Sequence, residues 1–506
     1  MSEEITSLKA LEYFEGQCCA YFRIPQTRDD EEERIQGVFS YQEDKISFSF
    51  MFEYMGKIEE PYLLYANPKY KTLYILTNKK IYTIHKPCSQ KTSGYSLGHP
   101  TQITLHYEWL FNDWIDPEAI KGKHFTCRTN YLESFLTTNQ HLLYDLKTDE
   151  SKCKNQHRDK DKNFVLQSFY VQNNFLSDKF KNKTIRVKPF YTLSAPEQHR
   201  FFSCQYDLYL ECNIVFEDLD RLALTAEAIK NFFVLIYAYS DFDIQIDYIQ
   251  FKLQDNEKYI TAVRNIYKKD KKPIRIDPYG IVIQFQQIDN FSAILEKWID
   301  FYIQNKNFQY ISNILEIINK KEQAFHLYSD LFFMICMVEN LIEQQQIAKI
   351  DKVKQSQQID KINEALHILA DNNFPAEVLQ KYKESLEYGI VDSRLGQKLT
   401  KFFKISLSNT KCDRTKQYFN SKCRKRLCNH IVEYRNALAH GRDLKLNKQK
   451  IIKIAEVYTD FKQIIIEYFF GAIGLNQYIN KNIGFVSDLN RRNYISTQKQ
   501  GGKPNE

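Results

Sequence analysis

Glycine and proline are scarce in this sequence, at 15 and 12 of 506 residues. Collagen-like chains and long flexible or proline-rich linkers, which are built on those residues, are thereby excluded. No apolar run reaches the ~18 residues that a membrane-crossing helix needs. The best stretch, LFFMICMVENLI (331–342), is short and is interrupted by Glu339 and Asn340, so a buried helix is expected there. The N-terminal MSEEITSLKALEYFEG is acidic and mixed, unlike a secretory leader. No C-x-x-C pair occurs among the 11 cysteines. Cys18 and Cys19 are adjacent, and adjacent cysteines rarely bridge each other. Cys423, Cys428 and His430 lie near one another, but their spacing fits no common zinc pattern. The expectation is therefore reduced, buried cysteine in a cytoplasmic protein without metal or cofactor.

What is present begins with aromatic residues, 34 Tyr and 36 Phe, which suit strands and large cores. The net charge of +7 is mild for this length, so the position of the charge matters more than its sum. In KISFSFMFEY (45–54), Ile46, Phe48, Phe50 and Phe52 alternate with Ser47 and Ser49, the period-2 signal of a half-buried strand. TLYILTNKKIYTIHK (72–86) predicts a hairpin turning near Asn78, because asparagine tolerates the left-handed conformation of such turns. Further strands are expected at 201–212, 247–254, 258–265 and 280–287, with a helix at 225–240.

Beyond about residue 310 the period changes to that of a helix. Leu327, Leu331, Ile335, Val338 and Ile342 mark one apolar face; Leu427, Ile431, Tyr434 and Leu438 mark a second; Ile454, Val457, Phe461 and Ile465 mark a third. Helical spacing also runs through 350–370, 375–389 and 393–407. The chain is thus expected to be α+β. A β-rich region, 1–310, is divided near the polar stretch 151–163; an all-α bundle follows over 318–482, and a polar tail over 488–506.

Chemistry concentrates in EYRNALAHGRD (433–443). One helix is expected from about Thr415 to His440, ended by Gly441 in the left-handed conformation. Arg435 and His440, five residues apart, then leave the helix about 140° from each other. They can serve one groove only if another element closes it, and a second copy across a twofold axis would bring two arginines and two histidines around one cleft. Such a cleft suits RNA cleavage. Histidine can take the ribose 2′-OH proton or give one to the leaving 5′ oxygen. Arginine can hold the phosphate by two hydrogen bonds and stabilise the added transition-state charge. Asn436 can orient either group, and no metal is required. Just upstream, Lys411, Arg414, Lys416, Lys422, Arg424, Lys425 and Arg426 face a lone Asp413. This run can track a phosphate backbone, or it can be a solvated helix face.

RNALAHG resembles the R-polar-x3-H signature of the HEPN superfamily, a group of helical-bundle nucleotide-binding domains. LFFMICMVENLI, with Glu339, resembles the acidic early helix of that bundle, and SRLGQKLTKFF resembles its L-x-x-R/K-L helix. YFEGQCCAYFRIP and RIQGVFSYQEDKISFSFMFEYMGK are similar to the opening of ApeA-type bacterial anti-phage proteins, with Gly16 and Gly37 at the two glycine positions. The resemblance implies a metal-independent endoribonuclease, homodimeric or larger, that cuts tRNA or mRNA after sensing a phage-derived trigger. Arg435 and His440 would be the catalytic pair and Asn436 their auxiliary. Glu339 would either fix the Arg435 guanidinium or be an ordinary helix residue. Degenerate members of the superfamily serve instead as inert RNA- or nucleotide-binding partners. They often lose one of the pair, which is intact in this chain.

Overall fold

A computed structural model describes residues 11–25, 34–42, 45–52, 64–78, 80–93, 101–129, 185–194, 203–237, 246–253, 259–264, 288–304, 308–319, 326–345, 347, 352–372, 374–391, 395–408, 410, 413–440 and 448–477. The expected features at 151–163, 280–287 and 488–506, with Gly441 and Lys411, lie outside these residues. The protein is α+β, a β-barrel with extra strands followed by a helical region. It divides into two compact units, Met1–Phe233 with Asp243–Ile276 and Ile288–Glu296, and Val234–Phe242 with Asp277–Gln287 and Lys297–Glu506.

In the first unit six strands form an antiparallel barrel: β1 (Phe14–Tyr21), β2 (Arg34–Gln42), β3 (Lys45–Phe52), β4 (Thr72–Thr77), β5 (Ile81–Ser93) and β6 (Thr101–Phe111). They pair in the order β3-β2-β1-β4-β5-β6, and β3 closes the ring on β6 with Phe48 opposite Leu105. The alternation of Ile46, Phe48 and Phe50 therefore marks the inside of a barrel. Ile46, Phe48 and Phe50 point inward with Phe39, Ile75, Ile84, Ile103 and Leu105, all buried. Five more strands extend the sheet: β7 (Phe125–Thr129), β8 (Ile185–Ser194), β9 (Ser203–Cys212), β10 (Ile246–Lys252) and β11 (Tyr259–Arg264), in the order β6-β11-β10-β7-β9-β8. Helix α1 (Leu219–Ile236) begins earlier than expected and sends Glu227 toward Arg264 of β11.

The β4–β5 hairpin forms where expected, but for a different reason. Asn78 is not left-handed; among the described non-glycine residues only Lys86 has positive φ, at 63°. Thr77 ties the turn instead: its hydroxyl donates to the Lys80 carbonyl at 2.7 Å and accepts from the Lys80 N–H at 2.9 Å.

Gly37 marks a close approach of β2 to β3. A Cβ there would enter the Ser49 carbonyl oxygen and lie 2.7 Å from the Phe48 ring. Because the obstacle is partly backbone, Gly37→Ala is expected to destabilise the barrel by about 1–3 kcal/mol. A lower urea midpoint with an unchanged slope would show it, and an unshifted midpoint would count against this packing.

The helical region begins with α2 (Phe291–Gln304), ahead of the change of period seen in the sequence, and α3 (Phe308–Asn319). Then come α4 (Leu327–Gln344), an α5–α6 hairpin (Lys352–Asp371 and Ala376–Val391) and α7 (Leu395–Ser408). The last three are α8 (Asp413–Tyr418), α9 (Ser421–Ala439) and α10 (Lys448–Ile473). Helices α4, α7, α9 and α10 all touch one another and form the bundle. Its core joins Leu331, Ile335 and Val338 of α4 to Phe402 and Phe403 of α7, Leu427 and Ile431 of α9, and Val457, Phe461 and Ile465 of α10. The three apolar faces read from the sequence are the faces that meet. Among the described residues no helix is long and apolar enough to cross a membrane.

Candidate active site

The motif does not end one long helix from Thr415. The helix breaks at Phe419–Asn420, and Asn420 caps a new one, its side-chain oxygen accepting from the Cys423 N–H at 3.0 Å. Asparagine at such a position satisfies an amide the first turn leaves open, which favours a start there over continuation. Helix α9 then runs to Ala439, and the His440 N–H closes it on the Asn436 carbonyl at 3.1 Å.

The apolar side of α9 buries Cys423, Leu427, Cys428, Ile431, Tyr434 and Ala437. Its opposite side exposes Lys422, Lys425, Asn429, Glu433, Asn436 and His440. Their steps of three, four, four, three and four residues make one line along the helix. Two of the basic residues read as RNA contacts, Lys422 and Lys425, thus share a stripe with Asn436 and His440. Arg426 is exposed as well, but it borders a cleft of 430 Å³ between α9 and α10, with Leu427, His430, Lys453 and Asp460. Burial pushes His430 below the ordinary histidine value, and the nearby Lys453 and Arg426 act the same way. Arg424 is only partly exposed and, three turns before Arg435, lies on that residue's side of the helix.

Arg435 turns toward α4. Its side chain is 36% exposed, and Nη2 lies 3.8 Å from Glu339 Oε2, too far for a hydrogen bond. Its Nε is buried and has no hydrogen-bond partner. Glu339 is therefore near the arginine, but the guanidinium is held by charge without a directed bond. Cys336, one turn earlier on α4, feels the same cation: burial raises its thiol pKa and Arg435 partly offsets this.

Sequence reasoning missed Lys398 as a member of this group. It lies on α7 with its side chain 8% exposed; its Nζ is 3.5 Å from Glu339 Oε1 and donates to Glu343 Oε1 at 2.6 Å. The available signal was a lysine at a core-facing position, one turn before the buried Phe402. Arg435, Glu339, Lys398 and Glu343 form one line of alternating charge across α9, α4 and α7. His440 stands apart from it, exposed on the other side of α9. Within one chain, then, the arginine and the histidine belong to different faces. Among the described residues no group of three or more His, Cys, Asp or Glu is placed to hold a metal ion.

No protein-family model, curated protein or solved structure matches the chain.

Proposed function

We propose that this chain is a metal-independent endoribonuclease of the HEPN type. In this reading it acts in the cytoplasm in anti-phage defence by abortive infection and cuts single-stranded or loop RNA, of tRNA or mRNA, once infection is sensed. One observation carries the proposal. The last turn and a half of α9 presents Asn436 and His440 on an exposed stripe that also carries Lys422 and Lys425, and keeps the Arg435 guanidinium within reach of solvent.

The chemistry then follows. Arg435 holds the scissile phosphate and the charge that grows on its non-bridging oxygens. His440 takes the proton of the 2′-OH, whose oxygen bonds to phosphorus as the bond to the 5′ oxygen breaks. The 5′ oxygen takes a proton from solvent and His440 returns to solvent the one it took, leaving a 2′,3′-cyclic phosphate and a 5′-OH. Lys422, Lys425 and Arg426 attract the strand. Single-stranded or looped RNA fits, because an unstacked nucleotide can align its 2′-OH with the phosphate. Since the two catalytic side chains leave one helix on different sides, the reading requires a homodimer or larger assembly. The β-barrel unit is left to receive the phage-derived trigger.

An inert RNA- or nucleotide-binding role is the second reading. It is favoured by one fact, that Arg435 faces Glu339 and not His440. Expression of wild type and Arg435→Ala under phage challenge separates the two. Wild type should arrest growth and fragment RNA with cyclic-phosphate ends, and the variant should do neither. Intact RNA and equal growth in both would remove the nuclease reading.

A further inference from the structure

A lysine that is 8% exposed between α4 and α7 has lost most of its hydration, and an apolar side chain of its length would fill the same space at lower electrostatic cost. Its position beside Glu339 gives it a use. Glu339 divides its two oxygens between two cations, with Oε1 toward Lys398 at 3.5 Å and Oε2 toward Arg435 at 3.8 Å. Lys398 also donates to Glu343 at 2.6 Å, which favours keeping its ammonium beside Glu339.

We propose that Glu339 is a counter-ion restraining Arg435 in the resting protein, and that Lys398 weakens this restraint so that the guanidinium can exchange Glu339 for an RNA phosphate. The proposal rests on the phosphate-binding role given to Arg435 above. Its physical basis is competition for one carboxylate. With Lys398 in place, part of the Glu339 charge is already neutralised, and the Arg435 contact stays longer than a hydrogen bond. Without it, Glu339 would be a mostly buried carboxylate with one counter-ion fewer. It would draw Arg435 into the short, two-pronged pairing that arginine and carboxylate favour. A phosphate would then have to displace a much stronger partner. Lys398 is a positioning residue in this scheme: it acts on Arg435 through Glu339 and touches no substrate.

The test is a thermodynamic cycle on the full chain. The probe is a fluorescein-labelled, single-stranded 2′-O-methyl oligoribonucleotide, which lacks the hydroxyl needed for cleavage. Lys398→Met should weaken binding roughly tenfold. Glu339→Gln should tighten it, and the double variant should bind like Glu339→Gln alone, because Lys398 has nothing left to moderate. An equal loss from Lys398→Met in both backgrounds, or no loss in either, would overturn the proposal. Thermal melting of each variant monitors folding. If Lys398→Met does not fold, Glu339→Gln decides: weaker binding would mean that the carboxylate positions the arginine and does not restrain it. Arg435→Ala separates the two levels. If it binds the probe as wild type does, the phosphate role of Arg435 falls and this inference with it. If it binds weakly while the cycle shows no coupling, only the inference about Lys398 and Glu339 falls.

Discussion

If the proposed nuclease activity is present, replacing His440 by alanine is expected to lower the rate of RNA cleavage by about 10²–10⁴-fold, the usual contribution of a positioned proton-transfer group. The fold should survive, because the imidazole is exposed and the contacts that close α9 come from the His440 main-chain N–H, which alanine keeps. The measurement is the rate of appearance of 2′,3′-cyclic-phosphate ends, read beside a melting curve. An unchanged rate would sink the assignment, and a loss that parallels unfolding would leave it unsupported. The same variant tests the composite cleft. If each cleft takes Arg435 from one copy and His440 from the other, mixing His440→Ala with Arg435→Ala produces heterodimers with one intact cleft and one doubly damaged. Subunit exchange should then restore about a quarter of wild-type activity. A mixture as inactive as its components would place both groups in a single copy's site or outside catalysis altogether.

Glu467→Gln is expected to stabilise the helical bundle near pH 8 and to do nothing near pH 4. Glu467 of α10 is 5% exposed, and one of its carboxylate oxygens, Oε2, is buried without a hydrogen-bond partner. Burial raises its pKa from 4.5 to about 7, and Thr410 beside it offsets this only in part. The sign follows from proton linkage. For an acid with a raised folded-state pKa, the native protein holds more protons than the unfolded chain between pH 4.5 and about 7. Stability from this group is therefore greatest below the lower value and is lost as pH rises through the upper one. The loss is about 3 kcal/mol at complete ionisation. Glutamine has nearly the same shape and no charge to bury, so its melting temperature at pH 8 should exceed wild type by roughly 5 °C or more. Curves measured across the pH range should converge on the acid side. A constant offset at all pH values would mean that the carboxylate is not the cause.

Much of the fold was legible because burial leaves a period in the residues that undergo it. Ile46, Phe48 and Phe50 alternate because a barrel wall has two sides. The faces of α4, α9 and α10 repeat at helical spacing because each meets the others in one core. The site was legible only as a local cluster. Arg435, Asn436 and His440 are neighbours in sequence, so their proximity at the last turns of α9 needed no tertiary information, and the cations before them fall at the start of the same helix. The break before Asn420 escaped notice because an N-cap is a single residue set against an otherwise continuous helical pattern. Lys398 escaped because a charged residue at a core position carries no sign of its partner, which lies 59 residues away.

The amino-acid sequence by itself determined an α+β chain, a β-rich part before an all-α one, and one helix end that carries an arginine and a histidine. All three rest on short-range terms, alternation, helical periodicity and capping, which act between residues a few positions apart. Only the tertiary structure decided that six strands close into a ring by joining β3 to β6. Only it decided that Arg435 shares Glu339 with a buried lysine while His440 faces away from both. Strand pairing and charge pairing across a core act between residues far apart in the chain, and they take effect only once packing has brought those residues together.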